Sequence, residues 1–287
     1  MMNETASPTP QLSWMRQDPE QRIAFRGGRF TRVNTWCALL LGTVLATVFY
    51  AGLVPFEGHF IFETFNQRGI IPYCIVFFSG WSIAILILKS LKLRLQHQAL
   101  SIVVVPEDPE FVLSPSTVDD IRQGIYRAVD DPKHFVLFNR ITVALSNLRN
   151  LGRVSDVDEI LHTQADHDES AMETSYSLIQ GFVWAIPVLG FIGTVQGLSM
   201  AIGSFGGVLS ASSDLGNLKD ALKQVTAGLS VAFETTMHGL VAALFIQLAL
   251  TALKKSEEEF LDACSEYCAR HIVGRLRLLA YDQPEDA

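Results

Sequence analysis

The most informative stretch of the sequence for the fold is residues 174–213, TSYSLIQGFVWAIPVLGFIGTVQGLSMAIGSFGGVLSASS. It contains no charged residue, and an α-helix needs about 20 consecutive apolar residues to cross the hydrocarbon of a bilayer. The run is long enough for this crossing even when the glycine-rich residues 203–207 are assigned to its outer end. It therefore predicts a membrane-spanning helix.

Three other runs predict three more spans. Residues 33–54 and 70–88 carry no charge, and residues 225–253 carry only Glu234. The first run is longer than the h-region of a cleaved signal peptide, which has roughly 7–15 residues. The polar residues 214–223 are predicted to connect the last two spans. We expect an all-α membrane protein with four transmembrane helices and a helical cytoplasmic region, into which the long helices 3 and 4 extend.

Basic residues flank the apolar runs. Arginines precede the first run, Lys89 and Lys92 follow the second, and Lys254 and Lys255 follow the fourth. Because the cytoplasmic flanks of membrane helices are enriched in lysine and arginine, both termini are predicted to be cytoplasmic.

These boundaries divide the chain into predicted segments. The first segment, residues 1–32, has no apolar periodicity and is expected to be flexible. The segments are a cytoplasmic basic arm at 1–32, a transmembrane hairpin of helices 1 and 2 at 33–91, a cytoplasmic helical region at 92–176, transmembrane helices 3 and 4 at 177–254, and a cytoplasmic C-terminal helix at 255–287.

Composition argues against several classes of function. The chain is 49% hydrophobic and 18% charged, with a mean hydropathy of +0.26. Its net charge of −8 argues against nucleic-acid binding, which needs a concentrated basic surface. Cys264 and Cys268 lie one helical turn apart but lack the second ligand pair of a structural zinc site. Since the sequence also shows no nucleophile–base constellation or phosphate loop, we predict no enzyme activity, no metal and no cofactor.

Small residues recur every three or four positions in the last two spans. Gly193 and Gly197 form a small-xxx-small motif, which lets helices approach closely, and Pro187 and Thr194 share their face. The third-span stripe is Gly190, Gly193, Gly197 and Ala201, and the fourth-span stripe is Gly228, Ala232, Thr235, Gly239 and Ala243, with Thr236 on the same side. Two such faces predict a narrow shared interface. Packing alone is the competing interpretation, because small residues and hydroxyls in membrane helices commonly serve packing.

The run Ile186-Pro-Val-Leu-Gly-Phe-Ile-Gly-Thr-Val-Gln-Gly197 resembles the proline, glycine and Gly-Thr-Val-x-Gly signature of the MotA/TolQ/ExbB proton channel family. Residues 229–243, with Thr235-Thr236-Met-His-Gly-Leu, resemble the family's last-helix pattern. The resemblance covers roughly residues 135–270. Four spans resemble the layout of MotA, a motor stator subunit, more than the three-helix layout of TolQ and ExbB.

The resemblance implies a homopentamer in the bacterial inner (plasma) membrane, whose last two helices line a central channel. The channel holds a dimeric partner of the ExbD, TolR or MotB type, with one membrane helix per copy and an aspartate that binds the ion. The four apolar runs of this chain contain no aspartate, which agrees with that arrangement. The residues implicated are Thr194, Thr236 and then Thr235 in the ion pathway, Pro187 as a loosening point in helix 3, and Gly190, Gly193, Gly197 and Gly239 in helix packing.

Glu234 is a separate candidate, because an acid in mid-membrane is costly and is by default a functional hypothesis. His238 lies one turn away. Both residues fall on the opposite side of the helix from Thr236, which favours a structural pair over a proton relay, and we keep them as secondary candidates.

Three functions therefore remain open. The leading hypothesis is a subunit of an ion-driven motor that converts ion flow into rotation or force. The alternatives are a self-contained ion transporter that uses Glu234 and His238, and a membrane scaffold that conducts nothing. Proton is the default ion, and the adjacent hydroxyls of Thr235 and Thr236 keep sodium open. The driven process stays open among flagellar rotation, outer-membrane energisation, gliding and defence.

Overall fold

The computed structural model describes residues 12–66, 68–106, 113, 117–151, 154–211 and 215–276. This part of the chain is helical, and it contains isolated bridges but no strand. The helices are α1 (Trp14–Gln17), α2 (Pro19–Arg22), α3 (Thr35–Leu53), α4 (Phe60–Asn66), α5 (Ile71–Leu100), α6 (Val118–Ala128), α7 (Val136–Leu151), α8 (Val154–Ala211) and α9 (Leu215–His271), with short 3-10 turns at Val54–Phe56, Pro132–His134 and Val273–Arg275.

Four helices are long and apolar enough to cross a membrane. They are α3, α5, α8 and α9, and they cover most of the four apolar runs of the sequence. The prediction of an all-α protein with four long apolar helices is confirmed. The predicted connection at 214–223 is wrong from Leu215 onward, because α9 begins there. A polar composition does not separate a loop from a helix, and this segment contains no proline.

The chain forms two compact units. The polar unit comprises Met1–Asn34, Leu88–Ser175 and Lys254–Ala287, and the apolar unit comprises Thr35–Ile87 and Tyr176–Leu253. The boundaries fall within α5, α8 and α9, so each of these helices contributes to both units.

The core of the polar unit is built on α6, α7 and α9. The apolar positions of α6 are spaced three or four apart and form one buried face, as expected of an amphipathic helix. The buried side chains include Ile121 and Ile125 of α6, Phe135, Leu137, Phe138 and Ile141 from the start of α7, and Phe260, Cys264 and Cys268 of α9.

Arg140 of α7 lies inside this core with only 1% of its surface exposed. Its Nε is 2.7 Å from Oδ2 of Asp168 on α8, and its Nη1 donates to Oγ of Ser265 on α9 at 2.8 Å. A buried guanidinium needs a counter-charge and hydrogen-bond acceptors. Arg140 therefore ties α7 to the adjoining parts of α8 and α9 within the polar unit.

The N-terminal segment, residues 12–34, packs onto the polar unit. The prediction of a flexible arm is wrong for this segment, since Trp14 is 1% exposed. Asp130 receives the Ser13 hydroxyl at 2.7 Å and the Trp14 amide at 2.8 Å. Burial by itself raises the pKa of the Asp130 carboxyl, but these hydrogen bonds outweigh burial and hold the pKa below its usual value.

Two buried lysines anchor the same segment. Lys92 of α5 forms ion pairs with Glu20 and Asp18, and Lys89 pairs with Glu257 of α9 at 3.2 Å. Burial raises the pKa of the Asp18 carboxyl, against the lowering effect of the Lys92 charge. Sequence patterns missed this arrangement because the acids and their lysines lie far apart along the chain.

Asp168→Asn is expected to lower the free energy of unfolding by about 3 kcal/mol, because it leaves the Arg140 guanidinium buried without a counter-charge. The matched control is Asp166→Asn, which changes an exposed acid on the same helix. Chemical unfolding of the purified full chain in detergent, followed by circular dichroism, measures both variants. Equal stabilities would contradict a structural role for the Arg140 pair.

Candidate functional site: the α8–α9 interface

Helices α8 and α9 meet backbone to backbone in the apolar unit. A Cβ atom added to Gly197 would lie 2.7 Å from the carbonyl oxygen of Gly228 and 2.9 Å from the amide nitrogen of Ala232. A Cβ on Gly239 would lie 2.9 Å from the carbonyl oxygen of Ile186. Real Cβ contacts are not this short, so only glycine fits at these two positions.

The same contact continues at Gly190 and Gly193. A Cβ on Gly190 would lie 3.1 Å from the Thr235 carbonyl oxygen, and one on Gly193 would overlap the Thr235 side chain. The glycines predicted for packing thus line one interface, which the structure places around the threonines.

Thr194 of α8 and Thr236 of α9 come together at this interface. Their hydroxyl oxygens are in hydrogen-bond contact. The Thr194 hydroxyl also lies 3.1 Å from the carbonyl oxygen of Ala232, and the Thr236 hydroxyl lies 3.0 Å from that of Gly190. Two hydroxyls and two carbonyls from two helices therefore converge at one point. Both threonine side chains are half-buried.

Each threonine hydroxyl has one proton and two acceptor lone pairs. The two hydroxyls can satisfy each other and one carbonyl at a time, which leaves oxygen lone pairs directed into the cluster. This arrangement can accept hydrogen bonds from water or hydronium, and it offers the oxygen ligands that hard cations prefer.

Thr235 and Pro187 are placed differently. Thr235 is 1% exposed, and its hydroxyl donates to carbonyls of its own helix, at 2.9 Å to Val231 or 3.1 Å to Ala232. Its side chain fills the space beside Gly193. Pro187 is half-buried within α8, and that helix continues through it, although proline supplies no amide proton to the helical ladder.

Glu234 points to the N-terminal hairpin instead of the threonine cluster. Its carboxylate oxygen Oε2 is 3.0 Å from Nε of Arg68, and its Oε1 accepts the Ser230 hydroxyl at 2.6 Å. The sequence pattern does not identify Arg68 as this partner. A signal was present, because Arg68 is the one lysine or arginine between the first two apolar runs.

His238 lies beside this ion pair and packs on the ring of Phe65, with ring centroids 4.6 Å apart. Its Nδ1 is buried, and no hydrogen-bond partner is found for it within the part of the chain that the structure describes. Glu234 and His238 therefore have separate neighbours, and the main partner of the acid is an arginine.

Large apolar side chains cover the outer surfaces of the two helices. On α8, Trp184, Phe191 and Val195 are exposed, and on α9, Phe233 and Phe245 are exposed. Extensive exposed apolar surface marks contact with a membrane or with other proteins. The oxygen cluster therefore lies within a predominantly apolar pair of helices, apart from the Glu234 ion pair.

Gly197→Ala is expected to lower the free energy of unfolding by about 1–3 kcal/mol, because the added methyl group meets backbone atoms that cannot rotate away. Gly181→Ala on the same helix is the control, since a Cβ there has nothing within 4 Å, and alanine favours a helix more than glycine does. Thermal unfolding in detergent compares the two. A Gly197→Ala variant as stable as Gly181→Ala would contradict the close approach.

Arg68→Gln and Glu234→Gln are each expected to destabilise the protein, because each leaves a half-buried charge without its partner. The double variant should lose less than the sum of the two, with a coupling free energy of about 1–3 kcal/mol. Chemical unfolding of all four proteins gives the coupling. Glu57→Gln, at an exposed acid of the same unit, is the control. Additive losses would show that the ion pair contributes no coupling.

Comparison with known proteins agrees with this geometry. No curated protein and no solved structure matches the chain. A model of the MotA/TolQ/ExbB proton channel family matches residues 133–266, a segment that includes the whole glycine interface and both hydroxyls. The segment that contains the candidate site is therefore similar to the MotA/TolQ/ExbB proton channel family.

Proposed function

We propose that this chain is the channel subunit of an ion-driven membrane motor. Five copies surround a dimeric partner, and ion flow between pentamer and partner drives rotation or force. The observation that carries the proposal is the convergence of the Thr194 and Thr236 hydroxyls with the carbonyls of Gly190 and Ala232. The match of residues 133–266 to a proton channel family supports it.

The oxygen cluster serves as a relay point for the ion. Uncharged oxygens coordinate or hydrogen-bond a cation without holding it as strongly as a carboxylate does, so the ion can leave again. Proton is the default ion, carried as hydronium or along a water chain. Sodium fits the same oxygen ligands.

A carboxylate from the partner completes the ion site in this proposal. Within the four apolar runs the acid of this chain is Glu234, and its charge is balanced by Arg68 at 3.0 Å. A carboxylate that is already paired is a poor carrier, because release of its ion must compete with the arginine. A single-pass partner of the ExbD, TolR or MotB type supplies the missing aspartate.

The exposed apolar faces of α8 and α9 fit the rest of the assembly. They provide contact area for neighbouring copies, for the membrane helices of the partner, and for lipid. In the proposal, residues 177–254 are the channel-lining core, and residues 33–91 are a supporting hairpin. The segments at 1–32, 92–176 and 255–287 are cytoplasmic, and the chain lies in the bacterial inner membrane with both termini inside.

One observation favours a second candidate, a self-contained transporter. His238 Nδ1 is buried without a hydrogen-bond partner among the described residues, and Glu234 lies one turn away. A proton passed between these two groups would need no partner protein. The Arg68 pair weighs against this candidate, because the charged partner of the Glu234 carboxylate is Arg68, at 3.0 Å, rather than His238.

Ion flux tests the proposal. Membrane vesicles from cells that express the chain together with its partner are given a proton or sodium gradient, and uptake is followed with an ion-sensitive dye. Thr194→Ala combined with Thr236→Ala should reduce the flux at least tenfold, because the relay oxygens are lost. Thr226→Ala is the control, since its hydroxyl bonds carbonyls of its own helix.

The transporter is separated from the motor by a second pair of changes. Arg68→Gln with Glu234→Gln removes the whole ion pair, and flux should persist in the motor but vanish in the transporter. Flux from vesicles that contain the chain alone should be near background for the motor. Flux that survives the threonine changes but requires Glu234, with no partner present, would overturn the proposal. Native mass spectrometry should show five copies of the chain.

A further inference from the structure

In the N-terminal segment the acidic side chains are buried and the arginine side chains are exposed. It contains two acids, Asp18 and Glu20, and both are fully buried. Its five arginines are all exposed. Within the described residues no carboxylate pairs with their guanidinium groups, although Arg29 donates to the Lys133 carbonyl and to Asn139 Oδ1, and Arg22 donates to the Arg16 carbonyl. The arginines are Arg16, Arg22, Arg26, Arg29 and Arg32.

Hydrogen bonds and an ion pair fix the backbone that carries these arginines. The Glu20 carboxylate accepts the amide protons of Gly28 at 3.2 Å and Asn34 at 2.6 Å, so the chain loops around this buried acid. Lys92 donates to the Arg32 carbonyl at 2.8 Å. The loop also needs Gly28, where a Cβ would lie 2.5 Å from the Arg32 carbonyl oxygen. The loop is therefore anchored at both ends by one ion pair.

Both lysines of α5 are engaged in buried ion pairs. Lys89 and Lys92 follow the second apolar run, and the sequence predicts them as basic flanking residues. Both are buried in ion pairs inside the polar unit, so they present no charge to a surface. Arg94 of α5 stays exposed, and the loop adds its own exposed arginines to the positive charge.

Chain connectivity brings the loop close to the first apolar helix. Arg32 precedes the first residue of α3, Thr35, by three residues, which span at most about 10 Å. Arg26 precedes it by nine residues, or at most about 30 Å of fully extended chain. Ile23, an apolar residue beside Arg22, is 52% exposed. A basic surface with an exposed apolar side chain next to a membrane helix is typical of binding at a lipid interface.

We propose that Arg26 and Arg32 bind the phosphate groups of anionic phospholipids in the leaflet next to the start of α3, and that the charges of Arg22 and Arg29 add to the attraction. Guanidinium groups match phosphate oxygens in a bidentate geometry, and juxtamembrane basic clusters are drawn to anionic lipid. The bound leaflet holds the N-terminal segment at the membrane surface. Nucleic acid is the less suitable partner, because the whole chain carries a net charge of −8.

Native mass spectrometry of the full chain in detergent tests this binding. The protein is mixed with equal amounts of phosphatidylglycerol and phosphatidylethanolamine, and the bound lipids are counted. Wild type should retain phosphatidylglycerol preferentially. Arg26→Gln with Arg32→Gln should weaken that retention at least tenfold, since each charge near an anionic surface contributes roughly fivefold, and should leave phosphatidylethanolamine unchanged.

The matched control is Arg122→Gln with Arg127→Gln, which removes two exposed arginines of α6 in the same unit. It should bind phosphatidylglycerol as wild type does. Arg26→Lys with Arg32→Lys keeps the charge and should retain most of the binding. Unchanged thermal unfolding of the glutamine variant shows that the loop is intact. A glutamine variant that binds like the control would overturn the proposal.

Salt and free phosphate provide a second readout that needs no variant. Raising the salt from about 0.1 M to about 1 M shortens the screening length from roughly 10 Å to 3 Å and should release phosphatidylglycerol from wild type. Inorganic phosphate at the concentration of the lipid should not displace it. Complete displacement by inorganic phosphate would identify a site for the free ion, and binding insensitive to salt would exclude the arginines as its cause. Either result overturns the proposal.

Discussion

The close approach of the α8 and α9 backbones is the constraint on which the apolar unit depends. In a bilayer two helices gain little from hiding apolar side chains, because the lipid tails are equally apolar, so their association relies on packing and hydrogen bonds. Gly197 and Gly239 allow backbone atoms of one helix to touch those of the other. This geometry brings main-chain carbonyls within reach of side chains on the facing helix. Without it, Thr194 could not contact the Ala232 carbonyl.

The chemistry of the interface follows from this spacing. Narrow packing leaves room for hydroxyls but not for a long acidic side chain, and Glu234, the acid within the fourth apolar run, lies instead beside Arg68. The ion pair compensates the charge of Glu234, which is otherwise costly in a membrane. It also attaches the segment between the first two apolar helices to α9. The hairpin is thus coupled to α9 by electrostatics. The oxygen cluster between α8 and α9 contains no charged side chain.

The sequence predicted what depends on local pattern, and it missed what depends on distant partners. Runs without charge predicted the four apolar helices, and the recurrence of Gly190, Gly193 and Gly197 predicted the face on which Thr194 lies. Neither pattern identifies the partner of Glu234, since an ion pair between residues so far apart leaves no periodic signal in the sequence. The N-terminal segment was missed for the same reason. Its buried positions, including Trp14, are fixed by Asp130 and Lys92 rather than by an apolar stripe.

The N-terminal segment also shows why counting lysines and arginines in the sequence is not enough to predict which flank of a membrane helix exposes positive charge. Lys89 and Lys92 contribute to the positive flank in the sequence, yet in the fold they neutralise acids in the interior. Burial of Asp18 and Glu20 removes their charge from the surface of the loop, so its arginines stay exposed without these two acids beside them. The positive flank is therefore produced by tertiary structure. A change at Lys92 would alter the surface indirectly, by releasing two acids among the arginines.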